Sequence, residues 1–431
     1  MAVSTIALAT IVLLLLMFLK APIFIAILSA SVVYFIYSPN IPTLIIAQRI
    51  ISGVESGPLL AVPFFICSGV FMNHSGVTQR IMDFCGVLTR FLRLPGGLGQ
   101  VNVLLSTIMG GLSGSSMADA AMQSKILVPQ MEQKGYSREF STVVTATSSM
   151  ITPLIPPGIG MIVYGSMTSV SIGRLFIAGI GPGILLCLTM MALVGIIALR
   201  RGYEVHPDQV ASDVSFWRAL WRAALPLCMP VIIIGGIRFG VFTPTEAGAI
   251  AIFYAIFLGL LYRELTVGNV LAALKDTAVT TGSVMIIVGT ASAFGWVLTR
   301  EKIPQYLSQV MFDLTVNKYV FLLLVNLLLL VIGMFIEGNA ITIILAPLLA
   351  PIAAKYGINE IQFGMVFIFN IAIGGLTPPM GVTMFITCGI TGCQIHKFIR
   401  EAVPFYVLCL ISLIVLSYVP FVTTGLVNLL Y

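Results

Sequence analysis

Two short pairs of stretches hold the residues that could do chemistry. The first pair reads GGLSGSS at 110–116 and SSMITPLIPPG at 148–158; the second reads EGN at 337–339 and GGLTPPMG at 374–381. Serine and threonine hydroxyls, an amide oxygen and the bare carbonyls beside prolines and glycines are hard, mostly neutral oxygen ligands. They suit a monovalent cation such as sodium better than zinc or copper, since no cluster of histidine and cysteine lies near them. A first site would join Ser113, Gly114, Ser115 and Ser116 to Ser148, Ser149, Thr152 and Pro156 to Gly158. A second would join Glu337, Gly338 and Asn339 to Gly374, Gly375, Thr377, Pro378 and Pro379. Glu337 and Asp119 are acids beside these stretches, and acids inside a membrane are functional candidates. Asp119, several residues into a helix, fits a structural role equally well. No Walker loop, nucleophile elbow or HExxH motif is present, so no enzyme reaction is indicated.

The two pairs are copies of one another. A shift of 222 positions places Gly111 on Gly333, Pro129 on Pro351, Gly135 on Gly357, Pro156 and Pro157 on Pro378 and Pro379, and also Pro22 on Pro244 and Pro182 on Pro404. Chance would give about 0.5 proline matches over such an overlap, against the five seen, so the chain is read as an internal duplication. Small residues in GGLSGSS also suit close helix packing in lipid. The prolines at 156 and 157 could make a simple kink, but their twins at 378 and 379 argue for a shared role.

The elements that position these residues must lie in a membrane. Hydrophobic residues make up 58% of the 431 and charged residues 9%, and apolar runs long enough to span a hydrocarbon core recur throughout. The net charge of +6 resides mostly in loops between spans and is a topology signal, not a nucleic-acid footprint. Seven cysteines without a CxxC read as packing residues, His74, His206 and His396 as span-end or linker residues, and Trp217, Trp221 and Trp296 as interface anchors. The run 2–19 reads as a retained span, not a signal peptide.

With Lys20 on the cytoplasmic side, spans are expected at 2–19, 22–37, 58–73, 141–166, 175–198, 225–240, 244–262, 280–298, 361–387 and 403–422. The stretches 97–129 and 319–351 have basic residues at both ends, Arg90 and Arg93 with Lys134 and Arg138 for the first and Lys318 with Lys355 for the second, and the first is interrupted by glycine and serine, so each enters and leaves on the same side as a re-entrant helical hairpin. Consecutive prolines break the spans 141–166 and 361–387. The organisation is then a first inverted repeat (1–199), a polar cytoplasmic linker (200–224) and a second, upside-down repeat (225–431). This arrangement puts 15 of the 22 Lys and Arg on the cytoplasmic side. Amphipathic segments near 42–56, 80–93, 208–222 and 266–278 would form an interfacial cradle.

Broken helices and hairpin tips survive at membrane depth only when buried in protein or lining a wet cavity. Inverted repeats bring such breaks together near the midplane, where half-helix N-termini attract anions and free carbonyls bind cations. The fold class is therefore an all-α polytopic membrane protein of the inverted-repeat transporter kind, with two re-entrant hairpins and two broken transmembrane helices. A channel remains an alternative on these grounds.

The stretches LLAVPFFICSG (59–69), GGLSGSSMADAA (110–121), IPPGIGMIVYG (155–165), FTPTEAGAIAIFYA (242–255) and GGLTPPMGVTMF (374–385) resemble the large membrane subunit of the tripartite ATP-independent periplasmic (TRAP) transporters, the DctM type. The resemblance implies an elevator-type carrier of the ion-transporter superfamily in a bacterial inner membrane. It also implies coupling to Na+, an organic acid as substrate (dicarboxylate, sugar acid or sialic acid), a periplasmic substrate-binding protein, and a small four-helix membrane subunit expected as a separate polypeptide. A stand-alone anion carrier of related architecture is the alternative. On this reading Ser113, Ser115, Pro156, Glu337, Gly338, Gly375, Pro378 and Gly381 hold the cations. Ser116, Thr152, Pro157, Gly158, Asn339, Thr377 and Pro379 hold the substrate.

Overall fold

A computed structural model describes residues 5–19, 21–38, 41–203 and 215–431. Every regular element among them is helical. In chain order they are α1 (Thr5–Phe18), α2 (Ile23–Ile36), α3 (Leu44–Val54), α4 (Ala61–His74), α5 (Val77–Phe91), α6 (Gly97–Ser113), α7 (Ser116–Gln133), α8 (Arg138–Ser148), α9 (Ile159–Thr168) and α10 (Ile172–Arg201). There follow α11 (Phe216–Arg238), α12 (Pro244–Leu261), α13 (Val267–Arg300), α14 (Ile303–Leu314), α15 (Lys318–Gly333), α16 (Gly338–Lys355), α17 (Glu360–Leu376), α18 (Val382–Thr391), α19 (Ile395–Tyr418) and α20 (Phe421–Leu430). Seven helical segments among the described residues are long and apolar enough to cross a membrane, or eight if the bent pair of α8 and α9 counts as one span.

The hairpins are α6–α7 and α15–α16, and each is followed by a broken helix, α8–α9 and α17–α18. The 222-residue shift carries Ser116 at the start of α7 onto Gly338 at the start of α16, and Arg138 at the start of α8 onto Glu360 at the start of α17. The expected interruption across 110–116 is narrower than anticipated: helix continues through Gly110 to Ser113 and breaks only at Gly114 and Ser115. Glycine and serine lower helix propensity without removing a backbone donor, so packing decides. The prolines act as expected. After Ser148 the α-helix gives way to a 3-10 turn at Thr152–Leu154, and the segments Arg138–Leu154 and Ile159–Thr168 meet at 42°. The Pro156–Pro157 and Pro378–Pro379 peptide bonds are both cis.

The hairpins exchange partners. α16 packs along α9 and α18 along α7, so each hairpin leans on the broken helix of the other copy. α10 and α19 pack on this group through α6, α17 and α8, whereas α4, α12, α13, α2 and α3 pack mainly on one another.

Two expectations are corrected. α13 runs unbroken for 34 residues, where an interfacial segment near 266–278 and a separate span at 280–298 were expected. Lys275 and Asp276 resemble an interface boundary, but no proline stops the helix, and intrahelical hydrogen bonds carry it through. The segment near 80–93 is α5, whose Ile81, Phe84 and Cys85 are buried and which packs on α6 of the first hairpin and on α11. The last span, expected at 403–422, is instead two helices, α19 and α20. α3 does behave as an amphipathic surface helix, with no buried residue. Of the polar linker, 204–214 lies outside the described residues; the end of the segment near 208–222 opens α11, where Trp217 and Trp221 are 75% and 83% exposed.

Candidate transport site

The tip of the first hairpin is held by its own side chains. Ser115 caps α7, its hydroxyl accepting from the Ala118 amide at 3.4 Å. The deeper Ser113 hydroxyl donates to Asp119 Oδ1 at 2.7 Å. Asp119 Oδ2 accepts from the Thr152 hydroxyl at 2.7 Å, tying the tip to the break between α8 and α9. Asp119 and Thr152 are fully buried, so the two hydroxyl bonds satisfy a carboxyl that has no access to water. Behind them Ser106, Gln123, Ser148, Asn102 and Thr145 form a buried chain of hydrogen bonds. In copy two, Asn370 stands at the register of Ser148 (148 + 222) and donates to Asn326 at 2.9 Å.

Gly114 shows why the turn needs glycine. Its φ is +62°, and a Cβ there would sit 2.4 Å from the Pro157 carbonyl oxygen. The backbones approach closely enough for the Ile159 amide to donate to the Gly114 carbonyl at 3.3 Å.

In the second hairpin Glu337 occupies the cap position that Ser115 holds in the first. Its Oε2 accepts from the Ala340 amide at 3.2 Å and its Oε1 from Asn339 Nδ2 at 2.8 Å. The tip is brought to the second break by a glycine pair: a Cβ on Gly374 would lie 2.5 Å from the Gly333 Cα.

Both tips and both breaks border one cavity of about 110 Å³. Ser115 and Ser116 come from the first tip, Glu337, Gly338 and Asn339 from the second, Pro153, Ile159 and Gly160 from the first break, and Gly375, Val382 and Thr383 from the second. Four helix N-termini, those of α7, α9, α16 and α18, thus open onto one space. The caps of α7 and α16 are closed by side chains, but α9 and α18 follow Gly158 and Gly381 with no side-chain cap. The first amide of α9, that of Ile159, is taken by the Gly114 carbonyl, and the aligned dipoles of both helices favour negative charge at these ends. Among the described residues no Lys or Arg borders the cavity.

The sequence-derived residues divide in two. Ser115, Ser116, Glu337, Gly338, Asn339 and Gly375 line the cavity. Ser113, Thr152, Pro156, Pro157, Gly158, Thr377, Pro378, Pro379 and Gly381 do not, and instead shape the chain behind it. Thr377, for example, spends its hydroxyl on the Ile373 carbonyl at 2.7 Å. The lining residues missed from sequence include Thr342, Thr383, Ile368 and Ile371. Thr342 sits one turn beyond Gly338 and Thr383 two residues beyond Gly381, spacings that could have pointed to them; the isoleucines carry no such signal.

The family model for the "Tripartite ATP-independent periplasmic transporter, DctM component" matches residues 10–422. The chain belongs to the DctM family. The DctM-family chain is 37% identical over 406 residues to the sialic acid TRAP transporter large permease protein SiaM of Vibrio cholerae, covering 94% of each. It is likewise 37% identical over 403 residues to the C4-dicarboxylate TRAP transporter large permease protein DctM of Pseudomonas aeruginosa, covering 93% of each. Among solved structures it resembles the Alcanivorax borkumensis YdaH transporter, with a TM-score of 0.61, 16% identity and 88% of both chains covered. It also resembles Neisseria gonorrhoeae MtrF, with a TM-score of 0.51, 14% identity, and 86% of this chain and 83% of that one covered. The DctM-family chain therefore shares the fold of these membrane transporters.

Proposed function

We propose that the chain is the large permease subunit of a sodium-coupled importer of an organic acid, fed by a periplasmic binding protein and paired with a small membrane subunit in the bacterial inner membrane. The observation that carries this reading is the convergence of four helix N-termini on one cavity, because aligned helix dipoles are suited to a carboxylate. The names of the relatives, which include sialic acid and C4-dicarboxylate permeases, support the substrate class.

Sodium as coupling ion rests on charge and donor type. Glu337 borders the cavity without a basic neighbour there, and Asp119 is buried without an ion pair among the described residues. A carboxylate in that setting is stabilised by a cation, and the hydroxyls and carbonyls of the tips and breaks are oxygen donors of the right hardness. Each cation would lower the cost of admitting the anionic substrate, so sodium and acid raise one another's affinity by the same factor. The hairpins and broken helices would move as a body against the remaining helices, in two inverted repeats.

The test is uptake into proteoliposomes holding the chain and its small subunit under an inward sodium gradient. Saturable uptake that needs both sodium and the binding protein is expected. Uptake of free acid without the binding protein would favour a stand-alone carrier, and unitary currents would favour a channel.

A further inference from the structure

A second, larger cavity of about 840 Å³ lies at the far end of α9. Gly160 near the start of α9 borders the hairpin-tip cavity, whereas Ser166 near its end borders this one. Six residues of helix separate the two by about 9 Å along the axis. The second cavity also touches the first residues of α10, whose other end is Arg201, so it opens on the face opposite Arg200 and Arg201.

Its walls are rich in hydroxyls: Ser166, Ser169, Thr243, Thr245 and Tyr431. Two guanidinium groups, those of Arg174 and Arg238, stack on the Tyr431 ring, 5.3 and 4.5 Å from its centroid. Among the described residues neither forms an ion pair. Two of the buried polar atoms without a hydrogen-bond partner are Ser166 Oγ in the wall and Nε of Arg238 behind Tyr431. The nearby carboxylate of Glu246 is already held by the amide and hydroxyl of Thr243, each at 2.8 Å. Two cations on the ring of a wall residue with no ion pair among the described residues, one of them with an unsatisfied Nε, together with an unpartnered hydroxyl in the wall, form a setting for an oxyanion.

We propose that this cavity is a second oxyanion site, and that it stages the carboxylate of the transported acid one helix length from the hairpin tips. The staging role rests on the transport reading above; the site itself does not. A lipid phosphate offers the same chemistry and is the other possible source of the oxyanion.

The test is protection from labelling. The full chain carrying Cys228→Ser, which removes the exposed native thiol, and Ser169→Cys is placed in phosphatidylcholine nanodiscs and labelled with a neutral maleimide. Succinate, N-acetylneuraminate and sulfate serve as probes. At least threefold slower labelling with a carboxylate probe is expected, abolished by Arg174→Gln with Arg238→Gln and retained in the double lysine variant. Should the glutamine double variant fail to fold, Ser166→Ala or Arg238→Gln alone is expected to weaken the protection. Protection only in phosphatidylglycerol nanodiscs, indifferent to added acids, would keep the oxyanion site but assign it to lipid and overturn the staging role. Unchanged labelling under every condition would overturn the site, even where sodium-driven uptake holds. Protection without uptake would instead leave the site standing and sink the transport reading.

Discussion

The hydroxyl of Thr152 donates a 2.7 Å hydrogen bond to Asp119, joining the first hairpin to the first helix break through a buried carboxylate. Thr152→Val removes that donor and keeps the side chain's shape. Loss of a hydrogen bond to a buried charged group costs about 1.5–3 kcal/mol, so a lower thermal unfolding midpoint in detergent is expected. Asp119→Asn keeps an acceptor and removes the charge. It should raise the sodium concentration for half-maximal uptake at least tenfold, and an unchanged sodium curve would assign Asp119 to structure alone.

Gly333 and Gly374 allow hairpin and broken helix to touch backbone to backbone. Gly374→Ala places a methyl group 2.5 Å from the Gly333 Cα, and only separation of the two helices can relieve it. Overpacking of this kind costs about 1–3 kcal/mol. Lower stability together with lost uptake is expected, whereas Gly282→Ala, which meets nothing within 4 Å, should leave both unchanged. Expression level, unfolding midpoint and uptake rate report the difference.

Glu337 serves two purposes that substitution can separate. Glu337→Gln retains an oxygen for the Ala340 amide, and Glu337→Ala loses the cap at a cost of about 0.5–2 kcal/mol. Stability should therefore fall in the alanine variant and hold in the glutamine variant. If the charge holds sodium, both variants lose sodium stimulation of uptake. A glutamine variant with normal sodium stimulation would restrict Glu337 to capping.

Thr383 tests the cavity as a substrate site. Thr383→Val preserves volume and removes a hydroxyl from the wall that faces Gly375. A rise of about tenfold in the KM for uptake, the order of one lost hydrogen bond, is expected with little change in unfolding midpoint. An equal KM would place the acid elsewhere.

The broken helices were legible because consecutive prolines act locally: the pairs Pro156–Pro157 and Pro378–Pro379 end a helix, whereas the helices α7, α10, α11, α16 and α19 run through isolated prolines. The same locality explains the limits at the site. Pro378 and Pro379 mark the break without lining the cavity, while Ile368 and Ile371, which do line it, look in sequence like any other buried face of α17. The continuity of α13 was hidden for the opposite reason. A charged pair at 275 and 276 imitates the end of a span, and only the absence of a breaker says otherwise.

That unbroken α13 has a mechanical consequence. Thirty-four residues make a rod about 51 Å long, well beyond a hydrocarbon core of about 30 Å. It packs against the surface helix α3 as well as against α16 of the second hairpin. With no proline in it to act as a joint, the rod is a strut between the membrane surface and the hairpin, and a change in bilayer thickness or lateral pressure that tilts α13 bears directly on α16.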